Sequence, residues 1–264
     1  MMTFPQSFES LIPLTVEFFL IAARLGFLFI TMPILGSRAI PATIQGALLV
    51  TVTVAVMSTS LDLSGLPMDP VGILTALVGE AGIGAAAGLC AHIILATVET
   101  AGQLLGTPMG LGFSGTVDPS TGGNMIITSR FLSLIATMAI LALNIHHVLL
   151  AMIARSFAAV PPGKAVLSFA SAHHLVSGAA FMFSGAVQLA APVLIVILGV
   201  MVTVGLLSRV APKMNLLVLS FAISIGLGLI TLRAALPDMT AWIRGTMLRI
   251  EPFALEVVEG FIKG

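Results

Sequence analysis

The sequence predicts an all-α integral membrane protein of about six apolar helices or helical hairpins followed by an amphipathic C-terminal helix. Three observations carry that expectation. Of 264 residues, 58% are hydrophobic and only 8% charged, against about 25% charged in soluble domains. The mean hydropathy is +1.15. The apolar residues gather into six runs, separated by proline, glycine and a few charges.

In chain order the runs cover residues 14–35, 44–59, 71–98, 131–148, 178–207 and 216–232. A bilayer core of about 30 Å takes roughly 20 helical residues, so the second run is short for a span. The fifth is long and carries Pro192, where a bend is expected. Pro33, Gly36 and Pro41 bracket Arg38 after the first run; Asp62, Gly65, Pro67, Asp69 and Pro70 make a short acidic turn before the third. Within the third run, GEAGIGAAAG places Gly79, Gly82, Gly84 and Gly88 where another helix is expected to approach closely, since lipid gives helices no hydrophobic drive to associate. From Asp238 onward, Met239, Ile243, Met247, Ile250, Ala254, Val257 and Phe261 recur every three or four residues, with Arg244, Arg249, Glu251, Glu256, Glu259 and Lys263 between them. That stripe reads as an amphipathic helix, bent near Pro252, lying on the membrane surface or against partner helices.

Several function classes find no anchor. Eleven basic and eleven acidic residues cancel, so no global field draws the chain to nucleic acid. The single cysteine, Cys90, sits in an apolar run and reads as a small buried hydrophobe. No P-loop or HExxH pattern occurs, so neither a cofactor nor a metal is expected. The pairs His146, His147 and His173, His174 lack Cys or acidic companions, and neighbours on a helix point in different directions. Gly112, Phe113, Ser114 and Gly115 spell the GxSG of intramembrane serine proteases, but Pro119 and the glycines that follow forbid the continuous helix such a nucleophile opens. The N-terminus has no positive n-region, so the first apolar run is expected to be retained.

Polar groups inside the runs are the informative exceptions. Glu17, Arg24, Glu80 and His92 lie in apolar segments, with Glu99 just beyond the third. An ionised group near the bilayer centre costs about 2.5–3.5 kcal/mol even on the cheaper insertion scale. Glu17 and Arg24 are seven residues apart on one helix face, about 10 Å, too far for a direct bridge. Partners on other helices or other chains are therefore expected, and Glu17, Arg24, Glu80 and Glu99 are read as charges that specify assembly.

Residues 100–129 hold seven glycines in the stretch AGQLLGTPMGLGFSGTVDPSTGGNM and a single charge, Asp118. The segment is too glycine-rich for a stable helix and too apolar for a solvated loop. Irregular backbone at membrane depth is tolerated where it is buried in protein or lines a cavity, so a re-entrant constriction is expected. Gly102, Gly106 and Gly110 recur at four-residue spacing, predicting close packing before Pro108 breaks the helix.

The blocks ARLGFLFITMPILGSRAIP (residues 23–41), GEAGIGAAAG (79–88) and ETAGQLLGTPMGLGFSGTVDPSTGG (99–123), followed by HHVLLAMIARSF, PPG and LLSRVAPKMNLLVLSF, together resemble the FliR family of flagellar type III export gate subunits. The wording GQLLG and GLGF is closer to the flagellar branch than to its injectisome counterpart. Pro108 departs from the family pattern, which has a helix-compatible polar residue there. The resemblance implies a non-catalytic subunit that joins FliP-like and FliQ-like chains, and further export-apparatus membrane subunits, in a helical multi-subunit assembly around a channel for unfolded proteins. It places the chain in the bacterial inner membrane, in the flagellar basal body. It also implies a FliP-like region over 1–160, a connector over 161–177, a FliQ-like hairpin over 178–232 and the amphipathic helix over 233–264. By the same likeness the glycine-rich loop is a plug, with Met109, Gly110, Leu111, Gly112, Phe113 and Ser114 as its gate. Two other readings remain beside it. One is a small multi-pass solute transporter or channel lined by Glu17, Arg24 and Glu80; the other is a scaffold whose loop only cements its neighbours.

Overall fold

Among the described residues every regular element is a helix. The computed structural model describes residues 11–33, 35–36, 40–58, 66–113, 126–165, 169–210 and 215–259. Arg38, Asp62, Gly65 and Ser114, singled out above, lie outside them. Seven α-helices run as α1 (Leu11–Thr31), α2 (Ala42–Met57), α3 (Pro70–Gly106), α4 (Ile127–Ala142), α5 (Ile145–Ala159), α6 (Phe169–Val210) and α7 (Leu216–Glu259), with one 3₁₀ turn at Leu111–Phe113. Among the described residues four helical stretches are long and apolar enough to cross a membrane: Leu11–Thr31, Pro70–Gly106, Val176–Val210 and Val218–Thr246. The bent pair α4 and α5 makes a fifth if it is one span. This is fewer than six, because α2 has only 16 residues, about 24 Å at 1.5 Å per residue.

Local chemistry explains the starts. Asp69 precedes Pro70 at the head of α3, and its Oδ2 accepts the Gly72 N–H at 2.7 Å. An acidic cap with proline in the first helical position satisfies one orphan donor and presets the backbone for the helix. The acidic turn read from the sequence is thus also a helix start.

Several boundaries differ from the sequence expectation. The third run does not stop near residue 98 but continues as helix to Gly106, so residues 100–106 are not loop. Tertiary contact outweighs the weak propensity of Gly102 and Gly106: both face α4 at a distance no larger residue tolerates. The fourth run is two helices, bent by 62°. Asn144 stands at the break with φ 54°, a left-handed conformation that asparagine adopts more readily than most residues, and its carbonyl accepts the His147 N–H at 3.0 Å. Helix α6 begins at Phe169, inside the segment expected to be a connector. The sixth run and the amphipathic stretch form one 44-residue helix, α7, which passes through Pro237 and Pro252 without interruption. Its buried face holds Gly228, Leu232, Ala235, Met239 and Ile243, so the inward stripe runs on past the proline. Members of the stripe from Met247 onward lie outside the residues whose side chains are described.

The chain divides into two compact units. Unit 1 comprises residues 1–92, 144–178 and 247–264, and unit 2 residues 93–143 and 179–246. In unit 1, α1 packs against α2. Leu20, Leu66 and Ala76 form a buried cluster with Val16 and Leu77 against it. In unit 2, Trp242 of α7 stacks on Phe181 of α6, ring centroids 5.9 Å apart, and a methyl group at Gly185 would strike that indole and Thr97. Large apolar side chains also face outward: Ile30, Met138, Ile195 and Val210 are 69–82% exposed. Such a surface is at home in lipid or against other apolar helices.

Candidate functional site

In unit 1 the two charges Arg24 (α1) and Glu80 (α3) meet. Both side chains are fully buried, and Arg24 Nε donates to Glu80 Oε2 at 2.5 Å. Arg24 Nη1 donates to Ser156 Oγ at 3.0 Å and Nη2 to the Val160 carbonyl at 2.9 Å. The guanidinium lies 4.2 Å from the centre of the Phe157 ring, in cation–π position. Each guanidinium nitrogen therefore has an acceptor, which a planar five-donor fork needs when it leaves water.

The second oxygen of Glu80 is served by the turn after α5. Gly163 has φ +85°, and the Lys164 N–H donates to the Pro161 carbonyl at 3.2 Å. Proline second and glycine third is the requirement of a type II turn, because only glycine takes the positive φ freely. The turn aims the Gly163 N–H at Glu80 Oε1, 2.9 Å away. The sequence PPG and the carboxylate of α3 thus form one hydrogen-bonded unit with Arg24.

Small residues let these groups meet. A Cβ on Gly84 would collide with the Arg24 carbonyl, one on Gly88 with the Thr31 hydroxyl, and one on Gly79 with the Ala165 carbonyl. Backbones approach here more closely than any side chain would permit. Glu17 is also fully buried on α1, whereas His92 is exposed.

Unit 2 carries the glycine-rich segment. At the end of α3, a Cβ on Gly102 would collide with the Ser129 backbone, and one on Gly106 with Ile126 and Thr128. Thr128 Oγ1 donates to the Gly102 carbonyl and Ser129 Oγ to the Glu99 carbonyl, both at 2.8 Å. Glu99 itself is half-buried. Thr128→Val keeps the shape and removes the first of these bonds, and is expected to lower stability by about 0.5–2 kcal/mol, the range for interhelical bonds in membranes. Thermal denaturation of the detergent-extracted chain measures it.

Beyond Gly106 the chain turns over Thr107–Gly110, with the Gly110 N–H donating to the Thr107 carbonyl at 3.0 Å. Met109 is fully buried, and a Cβ on Gly228 would meet its thioether. Gly110 has φ +81° and lies against the Phe221 ring. Leu111 and Gly112 are half-buried in the 3₁₀ turn with Phe113.

The rings of His146 and His147, at the start of α5, lie 4.2 Å apart between centroids and are tilted 51° to each other. Among the described residues no group of three or more His, Cys, Asp or Glu is placed to hold a metal ion.

A family model described as bacterial export proteins, family 1, matches residues 15–250. The chain belongs to that family. It is 30% identical to the flagellar biosynthetic protein FliR of Pectobacterium carotovorum subsp. carotovorum, covering 84% of each chain. It is 31% identical to that of Caulobacter vibrioides, over 82% of this chain and 87% of the relative. With FliR of Bacillus subtilis it shares 29% identity, over 85% and 87% respectively. The family match takes in both Arg24 with Glu80 and the glycine-rich segment.

Sequence reasoning named Arg24 and Glu80 but missed Ser156, Phe157, Val160 and Gly163, which complete their surroundings. The PPG triplet was the available signal, since proline then glycine predicts a turn with a free N–H at its apex. Thr128 and Ser129 were missed as well; hydroxyls at the head of an apolar helix, after a glycine spacing of four, are the pattern that marks close helix contact.

Proposed function

We propose that this chain is a non-catalytic subunit of the flagellar type III protein export gate in the bacterial inner membrane. The observation that carries the reading is the family match over residues 15–250, which includes the apolar helices of both units. The chain works inside a hetero-oligomer with FliP-like and FliQ-like subunits, in contact with other membrane subunits of the apparatus and with lipid. Its cargo is unfolded flagellar protein. Residues 1–160 take the FliP-like part and the hairpin over 178–232 the FliQ-like part. Residues 109–114 belong to a plug that blocks ions at rest and moves aside for the passing chain, and methionine suits such a seal because its unbranched thioether conforms to varied shapes.

The competing transporter reading asks Arg24 and Glu80 to line a wetted path. Both are fully buried and committed to protein partners, which disfavours that role.

Two measurements test the proposal. Deleting the gene in its own bacterium is expected to abolish secretion of hook and filament proteins, with motility lost; undiminished secretion overturns the export reading. Deleting residues 110–114 is expected to leave the complex assembled and make the membrane leaky to small ions. Unchanged conductance counts against the plug.

A further inference from the structure

The plug reading leaves open what holds the segment shut, and unit 2 supplies an answer. Met109 and Gly110 are consecutive, and each is seated on α7. A Cβ built on Gly228 would lie 2.5 Å from Met109 Cε, 3.0 Å from Sδ and 3.1 Å from Cγ. The side chain therefore fills a notch that exists because residue 228 has no side chain. A Cβ built on Gly110 would lie 2.5 Å from Cδ1 of Phe221 and 2.9 Å from its Cε1. Gly110 also carries φ +81°, so a larger residue there is excluded twice, by backbone conformation and by the ring.

Phe221 and Gly228 are seven residues apart, two turns of one helix face, and Ser224, only 2% exposed, lies between them. The face is continuous and continues inward through Leu232. Neighbouring positions Ala222, Ile223, Gly226 and Leu227 are exposed.

We propose that Phe221 and Gly228 are positioning residues of the gate: one face of α7 forms a latch that holds the Met109–Gly110 turn closed. This rests on the plug reading and adds to it a mechanism of release. For the segment to move, the Met109 side chain must leave the Gly228 notch and Gly110 must slide off the Phe221 ring. Opening is thereby coupled to displacement between α7 and the end of α3, and a partner that shifts α7 opens the gate without touching the plug.

A reversible lock tests this. In a Cys90→Ala background, which removes the native thiol, Met109→Cys and Gly228→Cys are combined. The Met109 Cγ position, which a cysteine sulfur takes over, lies 3.1 Å from a Cβ at 228, matching the separation of about 3 Å between one sulfur and the opposite Cβ in a disulfide. With a membrane-permeant oxidant the two sulfurs are expected to join. Export of filament protein in motile cells then falls to the background of a strain lacking the chain, ion conductance stays low, and reductant restores export. Cysteines that fail to join, or export that continues with the bond formed, overturn the latch.

If the reduced double variant exports nothing, Gly228→Val decides: its branched side chain expels Met109 from the notch. An ion leak in the assembled complex supports the latch, and a tight membrane overturns it. The deletion of residues 110–114 separates the two ideas. A leak there with no effect of the cross-link removes the latch alone; no leak removes the plug as well.

Discussion

Arg24→Leu is expected to destabilise unit 1 by about 3–5 kcal/mol, the loss found when one partner of a buried ion pair is removed. The guanidinium donates to Glu80, Ser156 and the Val160 carbonyl at once. Its removal leaves Glu80 with the Gly163 N–H and deprives the end of α5 of its link to α1. Glu80→Leu is expected to be of similar size, since it leaves the buried guanidinium without a counter-charge, with only Ser156 Oγ and the Val160 carbonyl to accept from it. The paired change Arg24→Leu with Glu80→Leu is expected to recover most of the loss, because it removes both desolvated charges together. The thermal midpoint of the detergent-extracted chain, compared across the four forms, gives the coupling. A double variant no more stable than either single one would mean that the hydrogen bonds to Ser156, Val160 and Gly163, and not the ion pair, carry the stability.

Gly84→Val is expected to come next, at about 1–3 kcal/mol or more, the range for forced overpacking. Its Cβ would collide with the carbonyl oxygen of Arg24. That atom is backbone, so no rotamer change relieves the clash and α1 must move off α3. Moving α1 also pulls Arg24 away from Glu80, so Gly84→Val combined with Arg24→Leu is expected to cost less than the sum of the two. Gly199→Ala is the control. Nothing lies within 4 Å of a Cβ there, and alanine in a helix interior is favoured over glycine by about 1 kcal/mol. The same thermal measurement distinguishes them. A midpoint for Gly84→Val equal to that of Gly199→Ala would show that α1 and α3 do not depend on their close approach.

A consequence for function follows from where these effects lie. Arg24 and Glu80 tie α1, the part of α3 up to His92, α5 and the Pro161–Lys164 turn together, all within unit 1. The glycine-rich segment lies in unit 2, held by helix-to-helix hydroxyl bonds and by side-chain packing on α7. Saturated ionic contacts suit a frame that keeps its shape. The packing of the Met109 side chain at Gly228 is apolar, so it parts and re-forms at little electrostatic cost, as the proposed gate requires.

Composition and periodicity alone determined that this is an all-helical membrane protein with an unusual glycine-rich interruption, because hydrocarbon admits little besides apolar helices and punishes every exposed polar group. Local rules were legible too: Asp69 with Pro70 marks a helix start, and proline before Gly163 marks a turn. Which charge meets which was not legible. Arg24 and Glu80 are 56 residues apart, and no local propensity encodes such a meeting. Helix boundaries failed for the same reason. Gly102 and Gly106 read as breakers until α4 lies against them, and Asn144 bends a run whose apolar character gives no warning. Tertiary structure decided these points because glycine and a buried charge have no fixed preference of their own; each takes its meaning from what packs beside it.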